Sequence, residues 1–226
     1  MRCTVSDAWP LAFPGARVGT LLVANAENVV GSEPLASQLA GMAGTLRERY
    51  AGFDRAQLAE LPTIRAYQQH YRRFGQTYHL LGQLESVVLK GRELRSPGGA
   101  LVTAMFAAEI DHLLLTAGHD ADVVAGDVAI DAAREGERFV SISGREVALK
   151  PGDMVMRDAL GVISAVLSGP DQRTRLLPTS TRALYVTYVP AGIDDQRVHK
   201  HLDAIVHLVR LAQPEAQMEA RAIYPG

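Results

Sequence analysis

The pattern of apolar residues changes at Gly118, and this change restricts the folds that the chain can adopt. Before Gly118, apolar residues recur mostly at helical spacing. After it, they form short runs that are separated by turns containing Gly or Pro. Helices that precede strands, rather than alternate with them, favour an α+β fold. We therefore predict N-terminal helices packed on a mixed β-sheet lobe.

The boundaries of the expected elements follow from turn and capping residues. Residues 17–24 form an apolar run between Gly15 and Asn25 and predict a buried strand. A helix starts at Ser32 with Pro34 in its first turn, which proline tolerates. Further helices are predicted over residues 54–60, 62–74, 84–90, 99–116 and 194–211, and strands over 127–132, 138–142, 146–149, 153–157, 162–167 and 183–189.

The chain is long enough, and with 47% hydrophobic residues apolar enough, to bury one sizeable core. We expect residues 1–60 to add a strand and helices to the same globule, residues 61–212 to form the main domain, and residues 213–226 to form a C-terminal tail. Cys3 is the single cysteine and has no disulfide partner, and the N-terminus lacks the features of a secretory signal, so we expect a cytoplasmic protein.

The charge and the hydropathy restrict the partners. No apolar run approaches the roughly 18 residues that cross a bilayer, so we expect no membrane partner. The formal net charge of -2 creates no overall positive field for nucleic acid, so contact with RNA requires a local basic patch. His199 and His201 lie two positions apart on a predicted helix and point to opposite faces, so we predict no metal site and no cofactor.

Three segments, taken in order, resemble one known family. The first is a helix that ends in an aromatic-glycine turn at residues 67–75, followed by residues 84–91. The second is a strand, a Gly-Glu turn and a strand over residues 127–139. The third runs from the Pro-Gly-Asp turn at 151–153 through Ser-Gly-Pro-Asp at 168–171 to Thr-Ser-Thr at 179–181. Together they resemble the B3/B4 domain, the editing module of the bacterial phenylalanyl-tRNA synthetase β subunit.

The resemblance implies an amino-acid pocket between helices and a mixed sheet. In the family this pocket hydrolyses tyrosine wrongly attached to tRNA, and free-standing relatives are similar to trans-acting deacylases of mischarged tRNA. The family site positions a water with main-chain groups and the ribose hydroxyl of the substrate. A catalytic triad is then unnecessary, because orientation alone lowers the barrier substantially.

The resemblance also implies the site residues. Ser168, Gly169 and Asp171 correspond to the pocket loop, although the same residues make an ordinary β-turn. Hydroxyls of Thr179 and Thr181 are candidates for holding the substrate amine or a water, or for local capping. The further candidates for substrate binding are Glu109, His112, Val166 and Val186.

Several positions depart from the family pattern. Leu115 and Ala117 stand where the synthetase has a proline and a histidine, and His119 is the nearest following imidazole. We therefore predict His119 as the catalytic residue, with the alternative that it only ends the helix. The strand at 183–189 lacks the acid that holds the tyrosine hydroxyl in the family, so we do not expect tyrosine editing.

The tRNA contacts are expected in the basic segment before the pocket, although its charges also suit a solvated helix face. Arg72, Arg73, Lys90, Arg92 and Arg95 are the candidates. The leading hypothesis is a deacylase of a non-cognate aminoacyl-tRNA. The alternatives are a non-catalytic module that binds an amino acid or tRNA, and an esterase or amidase for a free small molecule. Residues 1–60 are expected to cover the pocket or to form a homodimer contact.

Overall fold

The structure, a computed structural model, describes residues 1–226 and contains seven helices and eleven strands. The helices are α1 (Ala8–Ala12), α2 (Glu33–Arg49), α3 (Arg55–Ala59), α4 (Pro62–Arg72), α5 (His79–Val88), α6 (Ala100–His112) and α7 (Asp195–Ala212). The strands are β1 (Cys3–Val5), β2 (Arg17–Ala24), β3 (Thr116–Asp120), β4 (Val128–Ala132), β5 (Arg138–Val140), β6 (Glu146–Ala148), β7 (Met154–Asp158), β8 (Gly161–Ala165), β9 (Gly169–Pro170), β10 (Ala183–Val189) and β11 (Gln217–Pro225).

The strands form two main sheets and a hairpin. One sheet has the order β1-β4-β7-β8-β9, in which β1 pairs in parallel with β4 and the other neighbours are antiparallel. The second sheet has the order β11-β2-β10-β3 and is antiparallel throughout. Strands β5 and β6 form the separate hairpin. The predicted α+β class with a mixed sheet is confirmed.

Helix α6 is shorter than the sequence predicts, and a strand follows it. The apolar pattern favours a helix over residues 99–116, but Leu113 adopts a left-handed conformation with φ of 60° and ends the helix after His112. The next residues form β3, which pairs with β10 so that Ala117 lies opposite Val186. Leu115 continues the helical spacing by coincidence, which is why the strand escapes detection from the sequence.

The chain ends in a strand. Residues 213–226, set apart as a tail on sequence grounds, contain β11, which pairs along the whole of β2. Helix α7 packs across the same sheet, and it approaches β2 closely at Gly19. A Cβ atom at Gly19 would lie 2.9 Å from Val198 Cγ1, so only glycine allows this contact without a shift of the helix.

One cluster of 53 buried apolar residues forms the main core and extends from Trp9 to Ala216. Leu35 and Leu46 of α2 belong to it, as does Tyr185 of β10. A smaller cluster of six residues lies under the β5–β6 hairpin. None of the seven helices combines the length and the apolar composition that a membrane span requires.

Candidate functional site

A cavity of about 430 Å³ opens between the C-terminal half of α6, the start of β3 and the turn that joins β8 to β9. This volume falls within the range of small-molecule sites and is sufficient for one amino acid. The lining residues are His79, Met105, Glu109, Leu115, Thr116, Ala117, Ile142, Ala165, Val166, Leu167, Ser168, Gly169, Pro170 and Tyr188.

One wall of the cavity is the segment of residues 166–169, and three hydrogen bonds hold it in place. The Leu167 amide donates to Asp153 Oδ2 over 3.0 Å, and the Val166 amide donates to the carbonyl of Met154 over 3.0 Å. The Tyr71 hydroxyl donates to the Val166 carbonyl over 3.0 Å. The wall is therefore fixed to β7 on one side and to α4 on the other.

Asp153 is the main anchor of this wall. Its side chain is fully buried, and its Oδ1 atom lies 3.1 Å from His70 Nε2 and accepts the Met154 amide over 2.9 Å. A buried carboxylate is tolerated only when donors satisfy its oxygen atoms, as they do here. The Pro-Gly-Asp turn at residues 151–153 thus supplies an internal support for the cavity rather than a ligand contact.

The main-chain amides of the wall are not free. The sequence and the resemblance lead us to expect N–H groups that face a substrate carbonyl. Instead, the Val166 amide donates to β7 and the Leu167 amide donates to Asp153. The Ser168 amide donates to the carbonyl of Ala165 over 3.2 Å. Gly169 has a φ of 74°, and nothing lies within 4 Å of the position that its Cβ would take. A ligand can therefore approach the backbone at Gly169 without meeting a side chain.

Glu109 is the principal ionisable group of the cavity. It lies half-buried on α6, and its Oε1 atom accepts a hydrogen bond from the Thr116 amide over 2.6 Å. Burial raises the pKa of the Glu109 carboxyl to about 8, and the Thr116 hydrogen bond opposes this shift only in part. A carboxyl that titrates near neutral pH in a cavity is a frequent property of functional sites.

Three other side chains bring polar groups to the cavity. Desolvation lowers the pKa of His79, so its imidazole is neutral at pH 7. The Tyr188 hydroxyl lies 2.7 Å from Ser164 Oγ, and the Thr116 hydroxyl lies 2.7 Å from His201 Nε2. The tyrosine and threonine hydroxyls therefore already have protein partners, whereas His79 has none among the hydrogen bonds of the structure.

His119 does not reach the cavity, so the expectation of a catalytic imidazole there needs correction. Its side chain is fully buried on β3, with Nδ1 2.7 Å from Thr174 Oγ1 and Nε2 3.1 Å from Ser164 Oγ. Burial lowers the pKa of His119 to about 3. Both ring nitrogens are occupied and the ring stays neutral, so the geometry gives His119 a role in linking β3 to β8 and to the loop that contains Thr174.

Four of the candidate substrate-binding residues lie together on the cavity surface, namely Glu109, Val166, Ser168 and Gly169. The others lie elsewhere. His112 lines a separate polar cavity of about 280 Å³, Val186 is fully buried in β10, and Asp171 is buried, with one carboxylate oxygen accepting the Thr174 amide. Thr179 and Thr181 are exposed in the loop before β10 and do not line the cavity.

The basic residues selected from the sequence are exposed, but most lie far from the cavity. Lys90, Arg92 and Arg95 follow the C-terminal end of α5, whereas His79 at its N-terminal end lines the cavity. At 1.5 Å per residue, the two ends of this helix lie about 15 Å apart. Arg73 lines another cavity of about 240 Å³ beside His70, and Arg72 points to solvent.

Sequence reasoning did not select His79, Thr116 or Tyr188 for the site. His79 opens an apolar helix without a distinguishing motif, and Thr116 falls inside the segment assigned to a longer helix. Tyr188 reads as a core position of the last strand and is indeed 2% exposed. Only the pairing of β3 with β10 brings Thr116 and Tyr188 next to α6.

Comparison with known proteins relates the chain to one enzyme subunit. No protein-family model matches the chain. A segment of 67 residues is 33% identical to the phenylalanine–tRNA ligase β subunit of Mycoplasma genitalium and spans 30% of this chain and 8% of that protein. The whole chain superimposes, with a TM-score of 0.52 and 10% identity, on 54% of an N-terminal fragment of the phenylalanyl-tRNA synthetase β subunit from Pyrococcus horikoshii.

These two likenesses agree on the same subunit. The structural likeness, at 10% sequence identity, shows a shared fold. The sequence likeness relates 30% of the chain to the synthetase β subunit. The chain spans about half the length of the solved fragment and a small part of the curated relative. The relationship is therefore to the β subunit of phenylalanyl-tRNA synthetase.

Proposed function

We propose that the chain binds the aminoacyl group of a non-cognate aminoacyl-tRNA in the cavity beside Glu109 and hydrolyses its ester bond, as a trans-acting deacylase of the cytoplasm. One observation carries the proposal, which is a carboxyl group with a pKa of about 8 in an otherwise mainly apolar cavity of amino-acid size. The cavity also lies where the B3/B4 resemblance implies a pocket, between the central helices and the late strands.

Glu109 is the residue to which we assign the chemistry. In its ionised form the carboxylate takes a proton from a water molecule, and the water oxygen then bonds to the ester carbonyl carbon. The bond between that carbon and the ribose oxygen breaks, and the proton passes from Glu109 to the departing ribose oxygen. A general base works best when its pKa lies near the working pH, as that of Glu109 does.

The other lining residues position the substrate in this scheme. Met105, Leu115 and Val166 offer an apolar surface for the amino-acid side chain, and Gly169 leaves its backbone accessible to the aminoacyl backbone. The neutral imidazole of His79 can accept a hydrogen bond from the substrate amine. Orientation of this kind contributes a large part of the rate in reactions of this class.

A second function has a specific observation in its favour. The amides of Val166, Leu167 and Ser168 all donate within the protein, so this wall offers no ready set of donors for the oxyanion of an ester intermediate. A module that binds an aminoacyl group without hydrolysing it would need no such donors. Turnover therefore distinguishes the two functions, whereas binding does not.

The test is a deacylation assay over a panel of purified aminoacyl-tRNAs. The proposal expects the wild-type chain to hydrolyse at least one of them, with a rate, corrected for the reaction without protein, that rises with pH and levels off above about 8. Glu109→Gln should lower that rate by at least about 100-fold, the usual effect of a general base. Glu215→Gln, on an exposed turn away from the cavity, is the matched control and should act like the wild type.

The outcomes separate the hypotheses. Tight binding of one aminoacyl-tRNA without turnover would support the binding module. Hydrolysis of free amino-acid esters with no preference for tRNA would support an esterase of small molecules. Equal rates for the wild type and Glu109→Gln would contradict the assignment of Glu109 as the base.

A further inference from the structure

A second cavity, here called the arginine cleft, lies next to the aminoacyl cavity. It has a volume of about 440 Å³, and its polar lining consists of three arginines, Arg138, Arg173 and Arg175, together with Gln172 and the acid Asp171. Its floor is formed by β8 and its rim by the β5–β6 hairpin. The basic segment selected from the sequence contributes none of these residues.

Two of the three guanidinium groups are available to a ligand. Arg175 donates to the carbonyl of Gln172 over 2.6 Å and forms no ion pair. Arg138 pairs with Glu146 over 3.2 Å, and both side chains are more than half exposed, at 55% and 61%. Exposed pairs of this kind contribute little free energy, so an anion can replace Glu146 as the partner of Arg138.

Arg173 differs from these two because it has a structural role. Its guanidinium lies 2.9 Å from the fully buried carboxylate of Asp158 and 3.6 Å from that of Asp171. Arg173 thereby offsets one of these two buried negative charges, and Asp171 also accepts the Thr174 amide at Oδ1 over 2.9 Å. The cleft therefore offers the Arg175 guanidinium, which has no ion pair, and the Arg138 guanidinium, whose exposed partner an anion can replace. Guanidinium groups suit the planar bidentate recognition of phosphate.

The cleft and the aminoacyl cavity share a thin wall. Pro170 lines the cavity and the next residue, Asp171, lines the cleft, while Ile142 lines the cavity and Val140 lines the cleft. Two residues of chain span at most about 7 Å, so the same two segments border both spaces. Val140 and Ile142 are 44% and 54% exposed, and an apolar rim of this kind suits the face of an unpaired nucleobase.

We infer that the arginine cleft binds backbone phosphates of the single-stranded 3′ end of an RNA whose terminal aminoacyl group lies in the neighbouring cavity. This inference rests on the proposed function for the identity of the aminoacyl group, but the phosphate contacts depend only on Arg138 and Arg175. The expected RNA contact then lies beside the β5–β6 hairpin and not at Lys90, Arg92 and Arg95, which follow the far end of α5. The overall charge of -2 also makes such a local basic site necessary for binding RNA.

The test compares two double variants that remove the same charge from the full chain. Arg138→Gln/Arg175→Gln removes both of these guanidinium groups and leaves Arg173 beside the buried acids Asp158 and Asp171. Arg92→Gln/Arg95→Gln removes two exposed cations that form no ion pair. The probe is an RNA hairpin with a single-stranded 3′ CCA end, and its affinity is measured by fluorescence anisotropy over a range of salt concentrations.

We expect the cleft variant to bind the hairpin about 10-fold more weakly than the wild type, with the slope of log affinity against log salt reduced by about 1.4 for two lost phosphate contacts. The variant at residues 92 and 95 should change the affinity by less than about twofold, since its cations lie away from the RNA path. An equal loss in both variants, or no loss in the cleft variant, would overturn the inference. The inference would also fail if the cleft bound inorganic phosphate but the RNA hairpin bound equally well to the wild type and to the cleft variant.

A small aminoacyl ester without phosphates separates this inference from the proposed function. The cleft variant should bind or hydrolyse that ester as the wild type does, because its cavity is unchanged. If the wild type neither binds nor hydrolyses the ester or any aminoacyl-tRNA, the proposed function fails. Weaker binding of the RNA hairpin by the cleft variant would still support the phosphate site in that case.

Discussion

At the scale of single residues, the proton on Glu109 links the cavity to stability. Burial raises the pKa of its carboxyl from 4.5 to about 8, so between these values the folded state holds a proton that the unfolded state has released. Stability from this group is therefore present below pH 4.5 and is lost as the pH rises to 8. We expect Glu109→Gln to unfold like the wild type at pH 5 and to be more stable than it at pH 9, by as much as about 4 kcal/mol at 1.36 kcal/mol per pKa unit, as measured by urea denaturation.

The same exposed control, Glu215→Gln, should show no difference between pH 5 and pH 9. A stability difference for Glu109→Gln that is constant over this range would mean that the carboxyl titrates normally in the folded state.

His119 and His201 act in the other direction, because burial lowers the pKa of each to about 3 and both must be neutral in the fold. The protein therefore loses stability as the pH falls below 6.5, the ordinary pKa of an imidazole, because the unfolded state then binds protons that the folded state does not.

At the scale of elements, the wall of residues 166–169 depends on α4 and β7 for its position. Asp153 accepts hydrogen bonds from the amides of Met154 and Leu167 and contacts His70. We expect Asp153→Asn to destabilise the fold by about 3 kcal/mol, because the side-chain NH2 of Asn would face one of the two main-chain amides that now donate to Asp153, and to speed amide hydrogen exchange at the wall. Tyr71→Phe, which removes one neutral hydrogen bond to Val166, should cost about 1 kcal/mol.

Hydrogen exchange by mass spectrometry measures both variants on peptides that contain the wall and on peptides of α2 as an internal reference. Faster exchange at the wall with unchanged exchange in α2 is the expected pattern for Asp153→Asn. Uniform acceleration throughout the chain would show that Asp153 supports the whole fold rather than this segment.

At the scale of the whole molecule, the first sixty residues complete the core. Strand β2 lies between β11 and β10, and Leu35, Leu39 and Leu46 of α2 belong to the main cluster. A fragment of residues 61–226 would lack the strand that joins β11 to the sheet. We therefore expect the full chain to unfold in one cooperative transition and the fragment to show none, as followed by circular dichroism in urea. A fragment that unfolds cooperatively would contradict a shared core.

Much of the fold was accessible from local patterns. The bounds of β2, β4, β7, β8 and β10 lie close to the predicted ones, because short apolar runs between turn residues strongly favour strands. Glu109, Ser168 and Gly169 are predicted site residues that line the cavity, whereas the predicted Asp171 does not. The resemblance to the B3/B4 domain indicated Ser168 and Gly169, because local chemistry alone also fits an ordinary β-turn there.

The sequence by itself determined the α+β class and most of the late strands, because spacing and turn chemistry act over a few residues. Only the tertiary structure decided that residues 116–120 form a strand, that residues 217–225 complete a sheet, and that His119 is sealed in the core. Those outcomes depend on pairing with β2 and β10, which lie far away in the chain. The face that an element turns toward a cavity is set by such long-range pairing, and no local pattern encodes it.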